Sequence, residues 1–167
     1  VMAVSVSAED LTEGIYTYTV NDDGNTVTIT KITVTETMEL NIPSTIAGKT
    51  VTAIGDKALD WGSTNKLVTK LTIPNTVVSI GKEAFDNNRG VKELVIPDSV
   101  KTIGEQAFIK FDALETLTIG KGLETVGSAA FGRTISLKSI TVSSENTKFK
   151  VENGCLIDVV NKGVLTG

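Results

Sequence analysis

Apolar residues recur along the chain in a sequence motif, here called the phrase, that repeats at a fixed spacing. The phrase begins with a segment in which leucine or isoleucine alternates with residues that are mostly polar. Each copy begins 23 residues after the one before it. The openings are Leu71, Leu94, Leu117 and Ile140. Because successive side chains of a strand point to opposite faces, each segment predicts a short strand with one buried and one exposed face.

A second apolar phrase, Ile-Gly-x-x-Ala-Phe, follows each of the first three strands. It occurs at 80–85, at 103–108 and, with valine in place of isoleucine, at 126–131. A period of roughly 20–29 residues with a Leu-x-Ile core indicates a leucine-rich-repeat solenoid. The predicted fold class is therefore an α/β-type repeat that is predominantly β and has parallel strands. Pro74 and Pro97 should end their strands, because proline has no N–H for a ladder.

The small and aromatic residues of the second phrase have predicted structural roles. Glycine is expected at its second position because a Cβ or a negative φ would obstruct the turn there. The phenylalanines should stack as an internal column, with Leu59 in the same place in the first copy. A phenylalanine that recurs at the repeat period is more simply a core spine than an aromatic ligand site. The residues concerned are Gly81, Gly104, Gly127, Phe85, Phe108 and Phe131.

Both ends of the chain depart from the repeat. Residues 1–8 are small and apolar and fit a signal-peptide remnant, a first strand or sequence left from cloning. Residues 9–39 hold two alternating runs around an Asp/Asn/Gly turn, which predicts a β-hairpin that caps the first coil. The solenoid is expected to span 40–157. Residues 158–167 predict a C-terminal strand and turn that continue into a longer chain.

The first copy, from Leu40, is longer than the others. Five additional residues lie around 47–49, and three more lie near Trp61. Insertions in a repeat fall in loops, often on one face. A loop tryptophan at position 61 suits a hot spot for a partner or a stacking surface for a sugar. It equally suits a cover over the edge of the first coil.

The composition narrows the class of function. The 167 residues include no histidine, which removes the usual general base and the commonest metal ligand. We therefore expect a protein that is not an enzyme and binds no metal or cofactor. The formal net charge of −4 argues against a nucleic-acid partner, and no apolar run is long enough for membrane insertion. Cys155 lies in an apolar stretch and is expected to be a buried small hydrophobe.

The exposed positions of the predicted strands form two columns across the coils. A surface of short side chains is a flat platform, which suits a protein partner better than a small molecule. The opposing interpretation is that β-branched columns are ordinary strand chemistry. One column contains Lys70, Glu93, Thr116 and Ser139, and the other contains Thr72, Val95, Thr118 and Thr141.

The complete phrase, Leu-x-Ile-Pro-x-x-Val-x-x-Ile-Gly-x-x-Ala-Phe, stands at 71–85 and 94–108. It resembles the BspA-like leucine-rich repeat of bacterial surface proteins, and the resemblance covers 40–157. The third copy departs from it with Gly120 in place of proline and Val126 in place of isoleucine. The resemblance implies a secreted or cell-surface bacterial protein that adheres to host or matrix proteins. It brings no shared catalytic residues to this chain.

The first hypothesis for function is a non-catalytic extracellular module that binds a protein partner through its strand face or its insertion loops. One alternative is a structural spacer that displays another domain of a longer chain. Another is a carbohydrate-binding accessory module centred on Trp61. A featureless strand face would favour the spacer, and a concave aromatic patch with neighbouring amides would favour glycan binding.

Overall fold

A computed structural model of the chain describes residues 9–59, 67–160 and 163–166. Regular structure in these residues consists of strands, and they contain no helix long and apolar enough to cross a membrane. The predictions for residues 1–8 and for Trp61 lie outside the described residues. The strands, in chain order, are β1 (Leu11–Glu13), β2 (Tyr16–Val20), β3 (Thr26–Ile32), β4 (Met38–Asn41), β5 (Thr45–Ile46), β6 (Lys49–Ile54), β7 (Val68–Thr72), β8 (Ser79–Ile80), β9 (Glu93–Ile96), β10 (Thr102–Ile103), β11 (Thr116–Ile119), β12 (Thr125–Val126), β13 (Ser139–Val142), β14 (Phe149–Glu152), β15 (Cys155–Asp158) and β16 (Val164–Thr166).

The coils stack in parallel and bury one common core between two sets of strands. The short-strand sheet joins β3, β6, β8, β10 and β12 in unbroken order. The long-strand sheet joins β9, β11 and β13, while β4 and β7 form a separate parallel pair on the same side of each coil. In both sheets the isoleucine and leucine positions of successive coils stand in register. The predicted leucine-rich-repeat solenoid with parallel strands is confirmed.

The N-terminal cap is an antiparallel meander of β1, β2 and β3. Asp23 organises the turn between β2 and β3, because its carboxylate accepts hydrogen bonds from the amides of Asn25 and Thr26 at 2.8 Å each. The Thr26 hydroxyl also donates to it, at 2.7 Å. The hydrogen bond from the Thr26 hydroxyl lowers the pKa of Asp23 most, and those from the two amides lower it further. Strand β3 then pairs in parallel with β6, so the cap continues into the short-strand sheet.

The additional residues of the first coil form a tight hairpin of β5 and β6. Ala47 and Gly48, at its turn, both have positive φ, at 49° and 74°. That pair of conformations is typical of a type I′ turn, whose twist matches that of the flanking strands. The additional residues are therefore contained in this hairpin, and β6 still pairs with the strands of the neighbouring coils.

The phenylalanines of the repeat form the predicted column. The rings of Phe85 and Phe108 stack with centroids 5.4 Å apart and an interplanar angle of 12°, and Phe108 and Phe131 stack at 5.5 Å and 3°. Phe111 contacts Phe108 edge-on at 5.5 Å. Leu59 is buried in the same register, and its amide donates to the carbonyl of the next coil, as the amides of Phe85 and Phe108 do. Successive coils are thus joined at the column both by ring stacking and by backbone hydrogen bonds.

The repeated glycines are required for close approach between coils, so one part of their predicted role is wrong. A Cβ on Gly104 would lie 2.6 Å from the carbonyl carbon of Gly81 and from the amide nitrogen of Lys82. Neither glycine has a positive φ. The left-handed conformation falls two residues later, on Glu83 and Gln106, with φ of 53° and 56°. The turn is therefore made by non-glycine residues, and the glycine provides only space.

The C-terminal strands β14, β15 and β16 form an antiparallel unit that docks on the last coil. The Asn146 side-chain amide donates to the carbonyl of Gly120 at 2.9 Å, and its oxygen accepts from the Phe149 amide at 2.9 Å. Leu156 is fully buried, but its neighbour Cys155 is partly exposed. The prediction of a buried Cys155 is wrong, because adjacent residues of a strand point to opposite faces.

Replacing the central ring of the column should strongly destabilise the protein. We expect Phe108→Ala to lower the free energy of unfolding by about 3–5 kcal/mol. The substitution removes the ring that stacks on two neighbouring rings, and it leaves a cavity between them. Phe108→Leu should cost less, because leucine already fills this place at position 59. Chemical denaturation of both variants tests this, and a loss below about 1 kcal/mol for Phe108→Ala would contradict a structural column.

Adding one methyl group to the glycine stack should also destabilise the protein. We expect Gly104→Ala to lower the free energy of unfolding by about 1–3 kcal/mol, because the new Cβ meets backbone atoms that cannot move without separating two coils. Gly163→Ala is the matched control, since no atom lies within 4 Å of a Cβ built there. Equal denaturation midpoints for the two variants would refute the close-approach explanation.

Candidate functional site

The eight predicted strand-face residues are all exposed and lie on the long strands. On β7, β9 and β11 they alternate with buried leucine and isoleucine residues, as the period of the sequence predicts, and on β13 with partly buried Ile140 and Val142. Glu93, Thr116 and Ser139 stand in register across β9, β11 and β13. Val95, Thr118 and Thr141 do the same two residues later. The remaining two, Lys70 and Thr72, lie on β7 opposite Glu39 and Asn41 of β4.

The two groups are separated by a break in the long-strand sheet. Between β9 and β11, the carbonyl of Lys92 accepts from the amides of Glu115 and Thr116 at 2.8 and 3.2 Å. One coil earlier, the equivalent bonds would join the amides of Lys92 and Glu93 to the carbonyl of Thr69. Among the described residues those bonds are not formed, and β7 does not pair with β9.

Pro97 accounts for a further bond that is missing between β7 and the segment that ends β9. In the next coil Gly120 occupies the same position, and its amide donates to the carbonyl of Ile96 at 2.9 Å. Pro97 has no N–H, so it cannot make the same bond to Ile73. The proline predicted to end the strand therefore also weakens its pairing with the coil before.

A groove opens along the break, and we refer to it as the β7–β9 groove. It encloses about 550 Å³ and is lined by segments 69–75 and 92–97 and by Glu39. It includes four of the eight predicted residues, which are Lys70, Thr72, Glu93 and Val95. The cavity therefore lies on the face that the sequence singled out, at one point along it.

The floor of the groove is the edge of the apolar core. Leu71 and Ile73 are 5% and 6% exposed, whereas Leu94 and Ile96 in the next coil are 1% and 0% exposed. Val95 stands on the rim and is 57% exposed. Leu71 and Ile73 are thus buried but slightly more exposed than their counterparts in the next coil, and they lie beside an exposed aliphatic residue. That combination is typical of a contact surface.

Some charged residues at the groove form ion pairs and others do not. Lys70 lies 4.0 Å from Glu39 across the β4–β7 pair. Glu93, which follows Lys70 in the same column, makes no ion pair within the described residues. In an intact parallel sheet these two side chains would be cross-strand neighbours. The break therefore leaves a carboxylate without a cation.

The carboxylate of Glu115, on the next coil, has a cation as its partner. Lys138 donates to the Glu115 carboxylate at 2.7 Å. That hydrogen bond, the charge of Lys138 and the charge of Lys92 together lower the pKa of Glu115. Lys92 itself, like Glu93, makes no ion pair within the described residues.

Within the described residues, the remaining candidate chemistry gives no second site. No three metal-ligating side chains come together in the part of the chain that the structure describes. Trp61 lies outside that part, so its predicted contact with a partner or a sugar stays a prediction. The groove itself was not predicted from the sequence. Its only sequence signal is the difference between Pro97 and Gly120 at equivalent positions.

The stacked 23-residue coils, their Leu-x-Ile strands and the phenylalanine column define a leucine-rich-repeat β-solenoid. Residues 30–155 match, in six copies, the family described as BspA type Leucine rich repeat region. Because this match covers well over half of the chain, the protein belongs to that family.

Solved structures of bacterial leucine-rich-repeat proteins have the same fold. One from Bacteroides capillosus is 27% identical over 81% of this chain and 99% of its own, with a TM-score of 0.70. A leucine-rich cell surface protein from Faecalibacterium prausnitzii is 21% identical over 96% of this chain and 61% of its own, with a TM-score of 0.56. The pneumococcal vaccine antigen PcpA is 18% identical, over 91% and 54%, with a TM-score of 0.52. A comparison with curated proteins finds no match.

The break in the sheet predicts a local difference in hydrogen exchange. The amides of Lys92 and Glu93 should exchange at least roughly tenfold faster than those of Glu115 and Thr116, because only the second pair donates to a neighbouring coil. Native-state exchange followed by NMR measures all four amides in one sample. Equal protection of the two pairs would show that β7 and β9 are bonded in solution.

Proposed function

We propose that the protein is a non-catalytic extracellular module that binds a protein partner through its long-strand sheet, at the β7–β9 groove. The observation that carries the proposal is an apolar groove in an exposed sheet whose other strands are fully bonded. The groove brings the edge of the core, the exposed Val95 and the uncompensated Glu93 into one place. An apolar surface bordered by charged residues on an exposed face is the arrangement expected of a contact surface.

The proposed location is the bacterial cell surface or the extracellular medium, and the proposed partners are host or matrix proteins. Membership of the BspA-type family supports this, as does likeness to a protein described as a cell surface protein and to another described as a vaccine antigen. The chain spans 61% and 54% of the length of those two proteins.

A structural spacer is the second candidate function, and one observation favours it. The short-strand sheet runs unbroken through the coils, and the phenylalanine column is continuous beneath it. A rod with these features would hold a further domain at a fixed distance. A spacer, however, has no use for the groove, so loss of binding on groove substitution separates the two functions.

Charge reversal at the groove should weaken capture of a partner without unfolding the protein. We expect Lys70→Glu combined with Glu93→Lys to lower the affinity for a bound matrix protein at least tenfold, since close interface charges of the wrong sign cost several kcal/mol. Surface plasmon resonance against a panel of purified host extracellular-matrix proteins measures this. The double variant should keep the wild-type circular dichroism spectrum and melting temperature.

The matched control reverses an ion pair on another part of the surface. Lys101 and Glu124 lie 3.9 Å apart, on segments that lead into the short-strand sheet. Lys101→Glu combined with Glu124→Lys leaves the net charge unchanged and should bind as the wild type does. Equal loss in both double variants, or no loss in either, would remove the groove from the proposed function.

A further inference from the structure

We infer that the β7–β9 groove receives one aliphatic side chain of the partner, and that an acidic and a basic residue beside it on the partner pair with Lys92 and Glu93. This inference rests on the proposed function and specifies the chemistry of its partner. It combines three properties of the same groove, which are its width, its apolar floor and two neighbouring charges of opposite sign that form no ion pair.

The width of the groove admits side chains and excludes a further strand. Cα atoms of β7 and β9 come within 8 Å of each other, although the two strands are not paired. A strand between them would need a gap of about 9–10 Å, which is twice the spacing of neighbouring strands. The cavity of about 550 Å³ therefore suits a side chain that enters from a partner whose backbone stays above the sheet.

The floor favours an aliphatic side chain. Leu71 and Ile73 lie at the base of the groove, and Val95 and Pro97 border it. An aliphatic side chain placed against them removes apolar surface from water on both partners. The described residues that line the groove include no aromatic ring on which a sugar could stack.

Two of the four charged residues that line the groove are already neighbours, since Lys70 lies 4.0 Å from Glu39. The other two, Lys92 and Glu93, are adjacent in the chain and exposed. Neither makes an ion pair within the described residues. The groove therefore offers a partner one cation and one carboxylate, side by side at the apolar floor.

This arrangement favours a partner that carries charges of both signs. A carboxylate beside the inserted side chain can pair with Lys92 while a guanidinium or ammonium group pairs with Glu93. A segment with two acidic residues would bring like charges together at Glu93, and one with two basic residues would do so at Lys92. The two unpaired charges thus select by repulsion as well as by attraction.

The probes for this inference are four acetylated and amidated pentapeptides with glycine at the second and fourth positions. The mixed peptide has a central leucine between a glutamate and an arginine. Two like-charged peptides keep the leucine and carry either two glutamates or two arginines. The fourth repeats the mixed peptide with serine in place of leucine. NMR titration of the folded protein measures the affinity of each and locates the perturbed amides.

We expect the mixed peptide to bind the wild type saturably and to shift the amides of segments 69–73 and 92–96. Each like-charged peptide should bind about threefold more weakly, the size of effect that is typical of an exposed ion pair. The serine peptide should not saturate, because it has no apolar group to place against the floor.

Substitutions in the groove should change this order of preference in opposite directions. Glu93→Lys leaves two unpaired lysines, so this variant should prefer the peptide with two glutamates. Lys92→Glu leaves two unpaired carboxylates and should prefer the peptide with two arginines. The matched controls are Glu124→Lys and Lys101→Glu, which change the net charge equally on another part of the surface and should leave the mixed peptide preferred.

The inference is overturned if the wild type binds the mixed and like-charged peptides equally, or if the two groove variants keep the wild-type order. Undiminished binding of the serine peptide would overturn insertion of an aliphatic side chain. If groove substitutions weaken capture of a matrix protein but no peptide binds at the groove, the inference fails and the proposed function stands. If matrix proteins are not captured either, both fail.

Discussion

The fold depends on the close approach of one coil to the next. No single coil can bury its own leucine, isoleucine and phenylalanine side chains, so each acquires an interior only when its neighbours cover it. The glycine stack fixes how near the backbones come, and the rings then meet at 5.4 and 5.5 Å. A change in this spacing between two coils should consequently alter packing along the whole stack.

The same constraint explains why an irregularity becomes a groove. On one side of each coil the short strands pair without interruption from β6 to β12, which holds the stack together. On the other side β7 and β9 can separate without dissolving the core beneath them. The protein can therefore carry unused backbone groups and an exposed core edge at one place, where a fold with a single sheet would be weakened throughout.

The repeated parts of the fold could be predicted from the sequence, because each copy of the motif gives independent evidence for the same strand and the same core position. The strand positions from Leu71 to Ile140 and the column through Phe108 follow from the 23-residue period alone. The groove could not be predicted in this way. Pro97 lacks a donor, but Pro74 has the same chemistry and its strand still pairs with β4. Whether adjacent strands bond depends on backbone geometry that the identity of these residues leaves undetermined.

The most direct test of coil-to-coil stacking is a double-mutant cycle on adjacent rings of the column. Phe85→Leu and Phe108→Leu, made singly and together, should show a coupling of about 0.5–1.5 kcal/mol in the free energy of unfolding, as stacked aromatic pairs do. The same cycle on Phe85 and Phe131, which lie two coils apart, should show additive effects. Additivity for the adjacent pair, within about 0.3 kcal/mol, would contradict a fold that rests on contact between neighbouring coils.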